Sequence, residues 1–195
     1  MILNGDEIIY RHDRSDIVLE PWDLKKVGTN SYDVALHPIL KAYERYNILN
    51  EEDKPLCLID KGPSHEFAID PKKNNKLIEF TVPERGFLLQ RGQFVLGATN
   101  ETNLNQADDI VPMIEGRSSI ARLGLSIHVT AGFGDIGFCG RWTLEITAAE
   151  NIVLYPYMPI GQLYWIKTNP TTRRYKGKYQ GEAEATGSKL CTEYK

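Results

Sequence analysis

Between Glu115 and Glu145 the chain concentrates groups that can do chemistry: Arg117, Ser118, Ser119, Arg122, Asp135 and Glu145, set among glycines and short apolar runs. Two arginines beside two hydroxyls suit an anion with several oxygens, such as a polyphosphate, because the guanidinium fork matches its geometry. Gly132, Gly134, Gly137 and Gly140 follow, and glycines let a backbone turn sharply or approach a ligand closely. The run Arg141-Trp142-Thr143-Leu144-Glu145-Ile146-Thr147 alternates. As a strand it puts Trp142, Leu144 and Ile146 on one face and Arg141, Thr143, Glu145 and Thr147 on the other. A glutamate on a strand beside a phosphate-type loop is a candidate acid/base.

Short strands are expected to position these groups. Phe87 to Gln90, Arg91-Gly92 and Gln93 to Leu96 read as a hairpin with a glycine turn. Leu125 to Val129, Ile152 to Tyr155 and Gln162 to Ile166 read as further strands. Turn signals recur at short spacing, at Pro83 to Gly86, Gly132 to Gly140 and Pro156 to Pro159. That pattern suits a β sandwich or barrel. Little helix is expected, at Ile39 to Tyr46 and in a turn around Ser119 to Leu123. Residues 47–78, rich in Asn, Lys, Asp, Glu and Pro, read as an exposed excursion. Residues 167–195 hold few large aliphatics and read as a tail, mobile from about residue 174.

The chain has 195 residues, enough for one domain spanning 1–195 with its own core. Hydrophobic residues make up 42% and charged residues 25%, a globular balance. The net charge is −3 and no basic run of the nucleic-acid kind occurs, so a free nucleotide fits better than a polymer. No apolar stretch approaches the ~20 residues of a membrane span. Cys57, Cys139 and Cys191 are an odd, scattered set, and Met1 to Asp6 lacks the charged and apolar regions of a signal peptide. A cytoplasmic protein without a disulfide framework is expected.

Six segments, in order, resemble the dCTP deaminase family within the larger dUTPase-like superfamily. Asn30-Ser31-Tyr32-Asp33-Val34 is similar to the first superfamily motif. Gly116-Arg117-Ser118-Ser119-Ile120-Ala121-Arg122-Leu123-Gly124 resembles the family signature Gly-Arg-Ser-Ser-x-x-Arg-x-Gly. Thr130 to Gly140 is similar to the next block, and Thr143-Leu144-Glu145 to the segment with the catalytic glutamate. Ile160-Gly161-Gln162-Leu163 and Gly177-Lys178-Tyr179-Gln180 resemble the last two.

The resemblance implies a mainly β, distorted barrel or jelly-roll-like domain working as a homotrimer with sites between subunits. It implies hydrolytic deamination of dCTP to dUTP, with Mg²⁺ carried on the triphosphate. Glu145 is the implied base, Arg122 orients it, and Ser118 bonds the reacting water or the base. Arg117, Ser119, Gln162, Tyr175 and Lys178 are implied phosphate or nucleotide ligands, with Ile120, Ala121, Thr143 and Leu144 beside them. Backbone groups near Val129 and Ala131 read the cytosine edge, and Phe138 lies against the deoxyribose. Asp135 has two open readings: a ligand of the sugar 3′-OH, or the base for water attack on the α-phosphate, which would give dUMP. dUTP and, as an inhibitor, dTTP are further nucleotides such a site would meet. No zinc is expected, because His12, His37, His65 and His128 are not followed by x-Glu and no two cysteines lie close in sequence.

Several positions depart from the family pattern. Gly132-Phe133 stands where deaminase-only members carry His-Arg and resembles bifunctional members that take dCTP to dUMP. Glu182 replaces a usual Gln, and the last residues lack the family's glycine-rich ending. A plain dUTPase would not need Glu145 with Arg122. A nucleotide-sensing or partner-binding protein on the same scaffold is the non-enzymatic alternative, favoured only by the tail.

Overall fold

The alternation around Glu145 is realised as a long strand in the computed structural model, which describes residues 1–63 and 68–194. The elements in order are α1 (Gly5–Asp13), β1 (Ile17–Glu20), β2 (Tyr32–Ala35), β3 (Ile39–Tyr43), β4 (Tyr46–Leu49), β5 (Leu56–Asp60), β6 (Leu77–Thr81) and β7 (Phe87–Leu89). They continue with β8 (Phe94–Asn105), β9 (Ile110–Gly116), α2 (Ser118–Ala121), β10 (Leu125–Ser126), β11 (Cys139–Ala148), β12 (Ile152–Leu154) and β13 (Pro159–Lys167). The largest sheet runs β10-β11-β8-β3-β6, with β1 also paired to β8. A second runs β12-β7-β5-β4, and a third β2-β13-β9. The protein is mainly β, as expected, but its sheets do not close into a barrel.

The inner faces share one core. Trp142, Leu144 and Ile146 of β11 meet Phe87 and Leu89 of β7 and Leu163 and Trp165 of β13 within a single buried cluster. Each such side chain stabilises the fold by about 1.5–3 kcal/mol on burial. A one-residue slip of β11 would expose its whole apolar row, so that row fixes which face Glu145 occupies. Among the described residues, no helix is long and apolar enough to cross a membrane, which says nothing of membrane β-barrels.

The hairpin expected at Phe87 to Leu96 does not form. The turn is present, with Gln93 N donating to Gln90 O at 3.0 Å and Gly92 at φ +77°. Its two strands enter different sheets, because β7 pairs with β12 and β8 with β11. Gly92 N donates to Ala148 O and Arg91 N to Asn151 Oδ1, which ties this turn to the β11–β12 connection. Two neighbouring strands therefore turn one corner together.

The helix expected at Ile39 to Tyr46 is instead β3 and the start of β4. Leu40 and Ala42 are buried while Ile39, Lys41 and Tyr43 point outward, a period of two. Pairing with β6 and β8 overrides the local helical pattern. The expected excursion also contains structure, since β4 and β5 pair and Leu56 and Leu58 are buried. Its residues 64–67, including His65, lie outside the described residues. The strand expected from Leu125 to Val129 stops at Ser126.

The longest helix, α1, went unread, although its signals are local. Asn4 Oδ1 accepts the Glu7 N–H at 2.9 Å, and Asp6 and Glu7 occupy the first turn. From its last turn Arg11 donates both terminal nitrogens to the Asp109 carboxylate, each at 2.9 Å. The Arg11 hydrogen bond, foremost, holds the Asp109 carboxyl below its ordinary value of 3.8. A depressed folded-state value gives stability that is present above the unfolded value and lost as pH falls through the folded one. Asp109→Asn is expected to cost about 2 kcal/mol at neutral pH. The gap from wild type should close as pH falls below 3.8. Thermal unfolding across pH checks this, and two curves that stay parallel into acid would contradict it.

Candidate active site

The six sequence segments sort into two groups in space. The first gathers on the three-stranded sheet, where Asp33 of β2 faces Gln162 of β13 and Gln162 faces Glu115 of β9. Ser31 donates its hydroxyl to Gln162 Oε1 at 3.1 Å, and Arg117 pairs with Asp33 at 3.0 Å. Arg117 is the residue on which α2 begins. Ile120 packs against the core, while Ser118, Ser119, Ala121 and Arg122 are exposed. Among the described residues, the side chains of Ser118, Ser119 and Arg122 meet no hydrogen-bond or ion-pair partner.

The second group lines a cavity of about 460 Å³ over the outer face of β11. Ala131, Asp135, Phe138, Thr143, Glu145 and Tyr175 all reach it. Alternation along β11 turns Arg141, Thr143 and Glu145 outward and buries Trp142 and Leu144. Leu144 therefore offers a ligand only its backbone. Glu145 N donates to Ile127 O at 2.8 Å, and its Oε2 accepts the Val129 N–H at 3.0 Å. Backbone and side chain of Glu145 thus both clamp the segment after β10. That segment also links the two groups, because His128 Nε2 lies 3.1 Å from Glu115 Oε2.

Asp135 owes its position to the loop around it. Ile114 N donates to Gly132 O and Gly134 N to Pro112 O, so residues 132–134 run along the free edge of β9. A Cβ on Gly134 would lie 2.4 Å from Trp142 Cη2 and 2.7 Å from Pro112 O, so only glycine fits there. Gly137 takes φ +85° as the chain turns back toward β11. Between buried Gly134 and Ile136, Asp135 is exposed, and its carboxylate has no partner among the described residues. Phe138 packs against Trp142 at 5.5 Å and Tyr175 at 6.1 Å between ring centroids, forming an aromatic wall.

The tail crosses the same face. Tyr175 N donates to Ile136 O at 2.8 Å, Gly181 N to Cys139 O at 2.8 Å, and Arg141 N to Glu182 O at 2.9 Å. Residues 181–182 thereby extend the open edge of β11. Ala185 is buried against Leu96 and Ala98, and Thr186 N donates to Thr143 Oγ1 at 3.1 Å. Lys178 stands outside the cavity lining and pairs with Glu193.

Sequence reasoning missed Tyr43, Arg141 and Tyr179 as cavity residues. Arg141 was readable, since it shares the polar face of β11 with Glu145. Tyr43 was not, because its strand carried a helical pattern. Its phenol is raised above its ordinary value, by burial first and then by the charges of Glu145 and Tyr179. Among the described residues, no group of three or more His, Cys, Asp and Glu side chains is arranged to hold a metal ion. Cys57, Cys139 and Cys191 are free thiols.

A family model described as dCTP deaminase-like matches residues 2–168. A curated relative from Hathewaya histolytica, named "dCTP deaminase, dUMP-forming", is 40% identical over 195 residues, covering 100% of this chain and 99% of its own. A relative of the same name from Clostridium beijerinckii is 43% identical over 181 residues, covering 92% and 91%. A solved 2′-deoxycytidine 5′-triphosphate deaminase from Agrobacterium tumefaciens superposes with a TM-score of 0.59 at 16% identity, over 86% of this chain. The present chain spans 48% of that protein, and the likeness is one of fold. The chain belongs to the dCTP deaminase-like family.

Proposed function

We propose that this protein hydrolyses dCTP to dUMP, ammonia and pyrophosphate, using two waters and two carboxylates of one cavity. The observation that carries the proposal is that Glu145 and Asp135 line the same cavity, beside the Phe138 wall. The name shared by the two relatives, dUMP-forming, supports dUMP over dUTP as the product.

In the first step Glu145, oriented by the Val129 N–H, takes a proton from water. The hydroxide adds to C4 of cytosine and the carboxyl passes its proton to N3. The carboxylate then takes the proton of the new C4 hydroxyl and delivers it to the amine, which leaves as ammonia as the C4 carbonyl forms. No zinc takes part in this scheme. In the second step Asp135 accepts a proton from a water that attacks the α-phosphorus, and pyrophosphate leaves with the bridging oxygen. Phe138 packs on the deoxyribose and leaves no room for a ribose 2′-OH. Mg²⁺ enters on the triphosphate, where it neutralises charge, and phosphate oxygens suit its preference for hard ligands.

Arg117, Ser118, Ser119 and Arg122 belong to the other group, and three of these four side chains lack partners among the described residues. We assign them to the cavity of a neighbouring copy in a homotrimer, where Arg122 orients Glu145, Ser118 bonds the reacting water or the base, and Arg117 and Ser119 hold phosphates. The tail, with Tyr175 and Lys178, closes over the bound nucleotide. The cysteine usage supports a cytoplasmic setting.

Ammonia release from dCTP tests the activity, and subunit mixing tests the shared site. Arg122→Ala and Glu145→Gln are each expected to be inactive alone. Mixed and reassembled, they should regain about a quarter of wild-type activity, because random pairing makes one interface in four wholly wild-type. A mixture as inactive as its parents would place Arg122 and Glu145 of one subunit in one site.

A further inference from the structure

Glu182 puts a carboxylate into a cavity proposed to take a polyanion. Its Oε1 accepts from the Lys189 ammonium and its Oε2 from the Thr186 hydroxyl at 2.9 Å. The Lys189 bond, foremost, holds the carboxyl below its ordinary value, so Glu182 is charged and paired. Lys189 is tied down on three further sides. Its ammonium donates to Lys178 O at 2.8 Å and lies 5.6 Å from the Tyr179 ring centroid, and its backbone N–H donates to the Tyr179 hydroxyl at 3.1 Å. The register of Glu182 is fixed independently, because its carbonyl accepts the Arg141 N–H. A Cβ on Gly140 would lie 2.9 Å from the Glu182 carbonyl oxygen, so the tail sits directly against β11 there. The segment from Glu182 to Lys189 is therefore a loop closed on itself by an ion pair, with Thr186 and buried Ala185 holding its middle to the sheet.

We propose that Lys189 is a positioning residue for the nucleotide, acting through Glu182. It neutralises the tail carboxylate that lines the cavity and pins the 182–189 loop to β11, so that the tail adds no uncompensated charge to the Asp135 and Glu145 carboxylates already there. The proposal rests on the nucleotide reading given above. Without Lys189 the carboxylate remains beside the phosphates and repels them. Without either group the tail again contributes no uncompensated charge. This is the pattern expected when one partner of a half-buried pair is removed and then both.

Three variants test this: Lys189→Met, Glu182→Gln, and the two together. Lys189→Met is expected to raise KM for dCTP about tenfold or more while kcat changes less than about threefold, the mark of lost uniform binding. The double variant is expected to return KM to within about threefold of that of Glu182→Gln, as a coupled pair requires. A double variant as impaired as Lys189→Met would overturn the proposal, since Lys189 would then touch phosphate itself or serve packing alone. An unchanged KM in Lys189→Met would overturn it as well. Hydrogen exchange without nucleotide gives a second readout. The amides of Arg141 and Gly181 are expected to exchange faster in Lys189→Met than in wild type, and unchanged exchange there would overturn the pin. If wild type neither binds nor deaminates dCTP, the functional reading fails and takes the nucleotide role with it, while the exchange result still decides whether Lys189 pins the loop.

Discussion

Glu145→Gln is expected to abolish ammonia release from dCTP while leaving nucleotide binding intact. Glutamine keeps the volume, and its Oε1 can still accept the Val129 N–H that clamps the native carboxylate. The segment from Ile127 to Val129 should therefore keep its place. What is lost is the ability to take a proton from water and hand it on. The loss should reach or exceed the factor of about 10²–10⁴ typical of general acid–base groups. Ammonia measurement on saturating dCTP, with calorimetric binding of dCTP to the variant, checks both halves. More than about a tenth of wild-type turnover would remove Glu145 from the mechanism.

Asp135→Asn is expected to stop dUMP formation, with the surviving deamination appearing as dUTP. Asp135 is exposed on the cavity, has no side-chain partner among the described residues, and is carried on a loop that only glycine at position 134 allows. A carboxylate held free in this way is available to a water. The substitution keeps the shape and removes the base. Attack on phosphorus is sensitive to displacements of about 1 Å, so pyrophosphate release should fail before deamination does. Chromatography that resolves dUMP from dUTP reads the outcome. A wild-type share of dUMP from Asp135→Asn would make Asp135 a sugar ligand.

What could be read from the sequence followed the range of the forces involved. The face that Glu145 occupies was legible because the apolar row Trp142, Leu144 and Ile146 repeats with the period of a strand, and burial enforces it. The glycine loop was legible because backbone freedom is a property of the residue itself. Tyr43 was illegible because its local pattern pointed to a helix, and only pairing with β6 and β8 turned it to the cavity. The corner at Gly92 was misread because a turn signal does not say which sheet each arm will join. The division of the segments into a group on the three-stranded sheet and a group at the cavity depends on strand order, which no local pattern encodes. The Glu182–Lys189 pair combines both kinds: the departure at Glu182 was visible in the sequence, but its counterion emerges only from the path of the tail across β11.

The most direct test is to incubate the protein with dCTP and Mg²⁺, follow ammonia, and resolve the nucleotides and pyrophosphate over time. dCTP is expected to disappear as dUMP, pyrophosphate and ammonia accumulate in equal amounts. dCTP that persists without ammonia would contradict the assignment of Glu145. Ammonia with dUTP alone, and no pyrophosphate even at long times, would contradict the assignment of Asp135.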